Sequence, residues 1–141
     1  MEIANVGTGT GHCVSLEMIL PEHANHYGTL YGNNGLALMG KAAFVAASRH
    51  ARAPVVMAAA EKVQFRLPVP VGSLLEFKAV ITRLGRTSMT VCVEATMENL
   101  ADGRRRSAMT GDFQMVAVNE HGRPTPIRKE HEVEMSKETQ S

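Results

Sequence analysis

The segment "NGLALMGKAAFVAASRH", residues 34–50, decides the fold of this chain, because it is the one stretch whose apolar residues repeat with a helical period. Asn33 or Asn34 precedes the repeat as a candidate N-cap. Pro54 follows it closely, which is typical of a helix end. The sequence therefore predicts one long helix with one apolar face. That face consists of Leu36, Met39, Gly40, Ala43, Ala47 and His50.

The rest of the chain alternates between apolar and polar residues, which predicts strands. One strand precedes the helix and four follow it, and the last four can form antiparallel hairpins with one buried face. A single helix has only that buried face to pack against. The predicted fold class is therefore α+β, with one antiparallel sheet wrapped around one central helix. The predicted strands are residues 13–20, 55–67, 74–83, 88–98 and 107–118.

Length and composition limit the domain organisation. The 141 residues, 44% hydrophobic and 21% charged, are typical of one globular domain. We expect a flexible arm over residues 1–12, a single domain over residues 13–127 and a charged tail over residues 128–141. The net charge of +1 gives no electrostatic case for binding nucleic acid or an anionic membrane.

The sequence also carries indications of its compartment. Cys13 and Cys92 match no metal or redox spacing. The N-terminus lacks the plan of a signal peptide, and no apolar run approaches the roughly 20 residues of a membrane helix. We therefore expect a reduced, cytoplasmic environment with no membrane partner.

Two motifs give the chain a resemblance to a known family. It resembles the hotdog-fold acyl-CoA thioesterases, in particular the YciA and brain acyl-CoA hydrolase group, over residues 13–127. That group has an Asn-x-x-Gly-x-x-Phe-Gly-Gly pattern before its helix, and a Phe-x-x-Pro-Val-x-Val-Gly pattern after it. The first is matched by Asn25, Gly28, Tyr31 and Gly32, with Asn33 at the second glycine, and the second by Phe65, Pro68, Val69, Val71 and Gly72.

The resemblance implies a fold, an assembly and an activity. The fold is the hotdog fold, and the assembly is a homodimer whose two sheets join, often built up to a hexamer. The active sites lie at the dimer interface and hydrolyse acyl-CoA to free acid and CoA. No cofactor is implied, because CoA enters as part of the substrate.

One departure from the family concerns its catalytic carboxylate. Members usually carry Asp or Glu on the central helix, seven residues after the second glycine of the motif. Counting from Asn33 leads to Gly40, which has no side chain, and the neighbouring Lys41 is no substitute. We therefore predict either atypical or reduced activity, with Gly40→Asp raising it.

The polar loop before the helix supplies candidates for thioester chemistry. Backbone N–H groups of Gly32 and Asn33 at a helix start can polarise the thioester carbonyl. Asn25 can hold the water or the carbonyl through its amide, and His26 can act as an acid or base near neutral pH. The alternative is that these residues only shape a turn. His23 and His26 lack a third ligand, so we expect no metal site.

Glu61 is the candidate general base, acting on the cleft of its own chain or on that of the partner across the dimer interface. By simple alternation it shares a row with Met57, Ala59, Val63 and Phe65, which predicts a position on the core-facing side of its strand. Burial there would raise the pKa of the carboxyl towards that of a general base. The alternative is a structural glutamate that accepts hydrogen bonds from the loop or the helix start.

The turn "GRTS" completes the predicted site. Thr87 and Ser88 resemble the family's CoA-contacting turn, and Arg86 can meet a phosphate; a plain hairpin turn is the alternative.

Two other functions stay open. One is a protein that binds acyl-CoA without hydrolysing it, as a sensor or carrier. The other is another hotdog enzyme such as a dehydratase, although no catalytic His–acid pair favours it.

Overall fold

The computed structural model describes residues 11–127 and contains one helix inside one curved sheet. The five strands are all antiparallel to their neighbours, in the order β1-β3-β4-β5-β2. The predicted α+β hotdog arrangement is confirmed. The predicted tail and all but the last two residues of the predicted arm lie outside the described residues. The elements are β1 His12–Met18, a 3-10 helix Pro21–His23, α1 Gly32–Ala51, β2 Val55–Phe65, β3 Leu74–Leu84, β4 Ser88–Glu98 and β5 Arg105–Ala117.

The core lies between α1 and the face of the sheet that contacts it, here called the inner face. Phe77, Val93 and Phe113 on the three central strands are fully buried there. The helix meets them with small side chains, and Ala43 and Ala47 are likewise fully buried. Short side chains let the helix backbone approach the sheet closely, so a core with few aromatic residues can still be closely packed.

The helix begins earlier than its apolar repeat indicates. Tyr31 is the N-cap residue, with extended backbone angles and no side-chain cap. The expectation that Asn33 or Asn34 caps the helix is therefore wrong, because both lie in the first turn. The amide of Asn34 instead donates to the carbonyl of His23 at 2.9 Å. This bond ties the helix start to the preceding loop.

The first strand, β1, has its apolar residues on the side away from the helix. Its register places Cys13, Ser15 and Glu17 on the inner face. Val14, Leu16 and Met18 form the other row and are exposed on the opposite side of the sheet, the outer face. The alternation along β1 is as predicted, but the row of apolar side chains is exposed in a single chain.

Strand β2 contains two irregularities, and the first of them overturns the predicted position of Glu61. Its register with β5 shifts between Met57 and Ala59 and again between Glu61 and Gln64, where Lys62 has a φ of 53°. An extra residue in one strand moves the following side chains to the opposite face.

The two shifts change which residues of β2 face the helix. Met57 pairs with the buried Met115, so it stays on the inner face. Glu61 pairs with Asp112 and is exposed on the outer face. The prediction of a core-facing Glu61 is wrong, because simple alternation holds only in a strand without bulges.

Gly35 marks the closest approach between α1 and β5. A Cβ atom there would lie 2.8 Å from Sδ of Met109 and 3.2 Å from Cδ2 of Leu30. Met109 is buried, so it has little room to give way. Overpacking at such a site costs about 1–3 kcal/mol.

We expect Gly35→Ala to lower the melting temperature, although alanine favours a helix more than glycine does. Thermal unfolding followed by circular dichroism measures the change. Ala37→Gly, at an exposed position of the same helix, calibrates the propensity effect alone. A Gly35→Ala protein as stable as the parent would contradict the close contact.

Candidate active site

Asn25 organises the loop between β1 and α1. Its Oδ1 accepts hydrogen bonds from the backbone N–H of Tyr27 at 2.9 Å, and from the backbone N–H and hydroxyl of Thr29 at 3.3 Å each. Gly28 completes the turn with a φ of 79°, a conformation that glycine adopts without strain. The Nδ2 group of Asn25 has no hydrogen-bond partner among residues 11–127, so the amide still offers a donor.

The two histidines of this loop have different surroundings. Nδ1 of His23 accepts a hydrogen bond from the backbone N–H of Leu20 at 3.0 Å. The backbone carbonyl of His23 accepts another from the N–H of Tyr31 at 3.0 Å. His23 is therefore a structural residue. His26 is exposed, and its ring stacks at 4.0 Å on Tyr27. In the described part of the chain, no three His, Cys, Asp or Glu side chains come together as metal ligands.

The first turn of α1 presents unpaired N–H groups. The carbonyl of Tyr31 accepts from the N–H groups of Asn34 at 2.9 Å and Gly35 at 3.0 Å. Within the described residues, the N–H groups of Gly32 and Asn33 have no acceptor, and both residues are exposed. Such donors, together with the helix dipole, attract a carbonyl oxygen or an anion.

A largely apolar cleft of about 280 Å³ opens beside this turn. Phe65 closes one side, and its Cζ would lie 3.9 Å from a Cβ placed on Gly32. Thr29, the hydrogen-bond partner of Asn25, forms part of the wall. The cleft therefore places a backbone donor next to an apolar surface. Its lining residues are Thr29, Leu30, Gly32, Phe65, Arg66, Leu67, Pro68, Val69 and Met109.

Sequence reasoning missed several residues of this cleft. Leu30 and Leu67 lie in irregular segments, where no period distinguishes a cleft residue from any other apolar one. Met109 lies in the buried row of β5 and looks like any core residue. The only available signal was for Thr29, which directly follows Gly28 in the polar loop.

No carboxylate lines the cleft. Glu61 lies on the outer face of the sheet, beside Asp112 and across β5 from the half-buried Cys92. Gly40 is buried in α1, and a Cβ placed on it would lie 2.9 Å from Cε of Met57. The structure thus separates Glu61 from Asn25 and Gly32 by the thickness of the sheet.

The turn that holds Arg86, Thr87 and Ser88 lies at the other end of the molecule. Ser88 pairs with Val116 of β5, whereas the cleft residue Met109 lies seven residues earlier in the same strand. Seven residues of strand span about 23 Å. Within one chain, the turn and the cleft are therefore far apart.

The turn itself is held firmly. The carbonyl of Arg86 accepts from the N–H of Ile127 at 2.9 Å, and that of Thr87 accepts from the N–H of Ala117 at 2.8 Å. Beside it lies a polar hollow of about 200 Å³, to which Ser88 contributes. The other lining residues are Arg83, Gly85, Thr90 and Gln114.

The fold and the site together define the class of protein. A five-stranded antiparallel sheet around one long helix, with a glycine-containing loop at the helix start, is a hotdog fold. Residues 27–102 match the model of the Thioesterase superfamily, so the chain belongs to that family.

A curated relative matches most of this chain. Protein VdlD of Helicobacter pylori is 34% identical over 112 residues, covering 79% of this chain and 64% of VdlD. This chain therefore spans slightly less than two thirds of that relative. In the part of the chain described, no helix is both long and apolar enough to cross a membrane.

Two solved structures share the fold closely. An apo-hexameric acyl-CoA thioesterase is 33% identical with a TM-score of 0.80, over 90% of this chain and 85% of the other. The acyl-CoA hydrolase of Staphylococcus aureus, in complex with butyryl coenzyme A, coenzyme A and coenzyme A disulfide, is 26% identical with a TM-score of 0.78. That match covers 83% of this chain and 71% of the hydrolase.

Cys92 gives a chemical probe of the outer face. Burial raises the pKa of its thiol, and the carboxylate of Asp112 raises it further through its charge and a hydrogen bond, with a smaller effect from Glu94. The thiol therefore stays protonated near neutral pH, where only the thiolate reacts rapidly.

We expect Asp112→Asn to lower this pKa and to speed the reaction of Cys92 with a disulfide reagent several-fold at pH 8. The comparison is made in a Cys13→Ser background, so that a single thiol is followed spectrophotometrically. An unchanged rate in a protein with a native circular dichroism spectrum would disprove the coupling of Cys92 to Asp112.

Proposed function

We propose that this chain hydrolyses acyl-CoA thioesters to a free acid and CoA. The observation that carries the proposal is the unpaired N–H group of Gly32, which lines an apolar cleft and lies next to the unpaired N–H group of Asn33. Membership of the Thioesterase superfamily and the names of the solved neighbours support the same reaction.

In this proposal the loop and the helix start polarise the thioester carbonyl. The oxygen accepts from the N–H of Gly32 and from Nδ2 of Asn25, and the acyl chain lies against Phe65 and Leu67. Negative charge develops on this oxygen when water adds to the carbonyl carbon. Donors fixed in advance stabilise that charge, and one such donor is worth about 10²–10³ in rate.

Water activation differs from the expectation based on sequence. Glu61 is not placed to reach the cleft, so we assign the base to His26, the titratable side chain next to Asn25 in the loop. The base takes a proton from water, the C–S bond breaks, and the CoA thiolate leaves and is protonated. The exposed ring of His26 is held in place less firmly than a carboxylate inside the cleft would be. We therefore expect a low kcat.

The proposed site includes a second copy of the chain. Strand β2 is an edge of the sheet with an unpaired side, and Val56 and Met57 on it are about half exposed. An unpaired edge is a template for pairing with another strand. We propose that β2 pairs antiparallel with β2 of a second protomer to form a homodimer.

Antiparallel pairing of β2 with itself explains the distance between the two predicted parts of the site. Val55 lies at the same end of the sheet as Ser88, and Phe65 lies at the end that holds the cleft. The twofold axis brings the Val55 end of one protomer beside the Phe65 end of the other. The "GRTS" turn of one protomer then lies at the cleft end of its partner, where Arg86 meets the CoA phosphates.

Two further points belong to the proposal. The hexameric neighbour supports assembly of such dimers into a hexamer. Both cysteines in the described residues are unpaired, which supports a reducing, cytoplasmic location.

A second function has one observation in its favour. A cleft with no carboxylate and a glycine at position 40 can bind a CoA ester without efficient hydrolysis. A sensor or carrier would bind acyl-CoA tightly and release no free thiol. Binding measured by calorimetry, beside thiol release over short, long, branched and aromatic acyl-CoAs, separates the two functions.

Asn25→Asp tests the donor role of Asn25 without removing the acceptor that shapes the loop. The aspartate keeps Oδ1 for Tyr27 and Thr29 but lacks the Nδ2 donor. We expect kcat/KM for thiol release to fall about 100-fold with the melting temperature nearly unchanged. Asn25→Ala loses both the donor and the turn, so it should also destabilise the loop. Full activity in a folded Asn25→Asp protein would refute the donor role.

Glu61→Gln and His26→Gln distinguish the two candidate bases. We expect Glu61→Gln to retain kcat within about twofold, because the sheet separates its carboxylate from the cleft. We expect His26→Gln to lower kcat by 10²-fold or more, within the range of general base catalysis. A large loss in Glu61→Gln, with His26→Gln unaffected, would return the role to Glu61.

A further inference from the structure

The cleft beside the helix start has a mouth and a floor that differ in burial. Of its lining residues, Met109 and Val69 are only 1% and 2% exposed. Gly32, Phe65 and Pro68 also line the cleft, and all three are exposed. The unpaired donor of Gly32 therefore lies at the mouth of the cleft, and Met109 and Val69 form its floor.

Packing holds the side chain of Met109 in place. Its Sδ would lie 2.8 Å, and its Cε 3.5 Å, from a Cβ placed on Gly35, so the thioether lies directly against the helix backbone. Within the sheet, Met109 pairs with Phe65 of β2 on one side and with Ala95 of β4 on the other. The side chain thus lies between α1 and the cleft, and a ligand cannot displace it towards α1 without moving the helix.

The floor of the cleft is formed within one protomer. Met109 and Val69 are already covered in a single chain, whereas Phe65 lies on the free edge strand β2. The proposed pairing of two β2 strands can therefore cover the mouth of the cleft without changing its floor. The depth of the cleft is set by the protomer itself.

The volume of the cleft limits the group that fits between its mouth and its floor. An apolar cavity of about 150 Å³ binds benzene, which has six carbons. In proportion, the cleft of about 280 Å³ has room for roughly 11 such atoms. The carbon, oxygen and sulfur of a thioester occupy about three of these places, which leaves room for about eight further carbons.

We propose that Met109 sets the acyl-chain limit of this protein, whose substrates are then acyl groups of about eight carbons or fewer. The inference rests on the proposed thioesterase function, since it concerns the acyl group of that substrate. The chain extends from the donor of Gly32 past Phe65, and its terminal methyl contacts the thioether of Met109. A longer chain would have to displace a buried side chain that packs against α1.

The first test measures binding without hydrolysis. S-alkyl-CoA thioethers lack the carbonyl that water attacks, so calorimetry reports only how well the alkyl chain fits. For the wild-type protein we expect the affinity to rise about fourfold per methylene, as for burial of one CH₂ group, and to stop rising at about eight carbons. An affinity that rises without a break up to hexadecyl-CoA would overturn the proposed limit.

Met109→Val identifies the residue that causes the limit. It removes Sδ and Cε but keeps a residue that favours a strand. We expect the break in the chain-length profile to move by about two carbons towards longer chains, because the chain end enters the vacated space. Met109→Ala should move the break by about three carbons, and Met109→Val remains informative if the alanine variant does not fold.

Met115→Val is the matched control. Met115 lies on the same strand and is likewise 1% exposed, but it does not line the cleft. We expect this variant to lose stability as Met109→Val does and to keep the wild-type break. A break that stays in place in the folded Met109 variants would refute the role of Met109, and so would one that moves equally in Met115→Val.

The second test measures kcat/KM for thiol release over the same chain lengths, and we expect the same breaks as in binding. Thiol release whose chain-length profile is unaffected by Met109→Val would overturn the inference and leave the proposed hydrolysis intact. A Met109-dependent break in binding, with no thiol release from any acyl-CoA, would refute the hydrolysis and leave the chain site intact. No binding of any alkyl-CoA would refute both.

Discussion

The close approach of α1 to the inner face of the sheet is the constraint on which the rest of this structure depends. Alanines line the middle of the helix and are fully buried, and Gly35 and Gly40 let neighbouring side chains contact the helix backbone. A larger residue at Gly35 would push the helix away from β5, because Met109 is buried against it. The loop before the helix would move with it, because Asn34 bonds the first turn to the carbonyl of His23.

The same constraint places the candidate site. Because α1 lies flat on the sheet, its first turn opens beside the end of β2 and the segment that follows it. The unpaired donor of Gly32 then lies beside an apolar wall, next to the donor of Asn33 at the exposed helix start. The two ends of the Asn25 amide differ in their contacts. The oxygen accepts the hydrogen bonds that hold the loop, and the nitrogen remains a donor for a ligand. One side chain thus combines a role in loop stability with the role in thioester binding that we propose for it.

The edges of the sheet leave apolar surface that one chain does not cover. Val14 and Leu16 lie exposed on the outer face of β1, and Met57 and Phe65 lie exposed on the inner face of β2. A protomer that buries its central strands well but leaves both edges apolar fits the homodimer that we propose. The separation of about 23 Å between the cleft and the "GRTS" turn also fits this proposed homodimer, since the proposed CoA ester would contact both the cleft and the turn.

The sequence by itself determined the architecture and one half of the candidate site. The repeat over residues 34–50 predicted the helix, alternation predicted the strands, and the order of glycines and asparagines before the helix predicted where donors would lie. These features are local, since helix period, strand period and turn chemistry depend on near neighbours. Tertiary structure alone decided the face of Glu61 and the neighbour of Gly40. The bulge between Met57 and Ala59 in β2 moved Glu61 outward, and the methyl group of Met57, seventeen residues along the chain, lies beside Gly40. Both outcomes depend on pairing between distant segments, whose register and contacts no local pattern encodes.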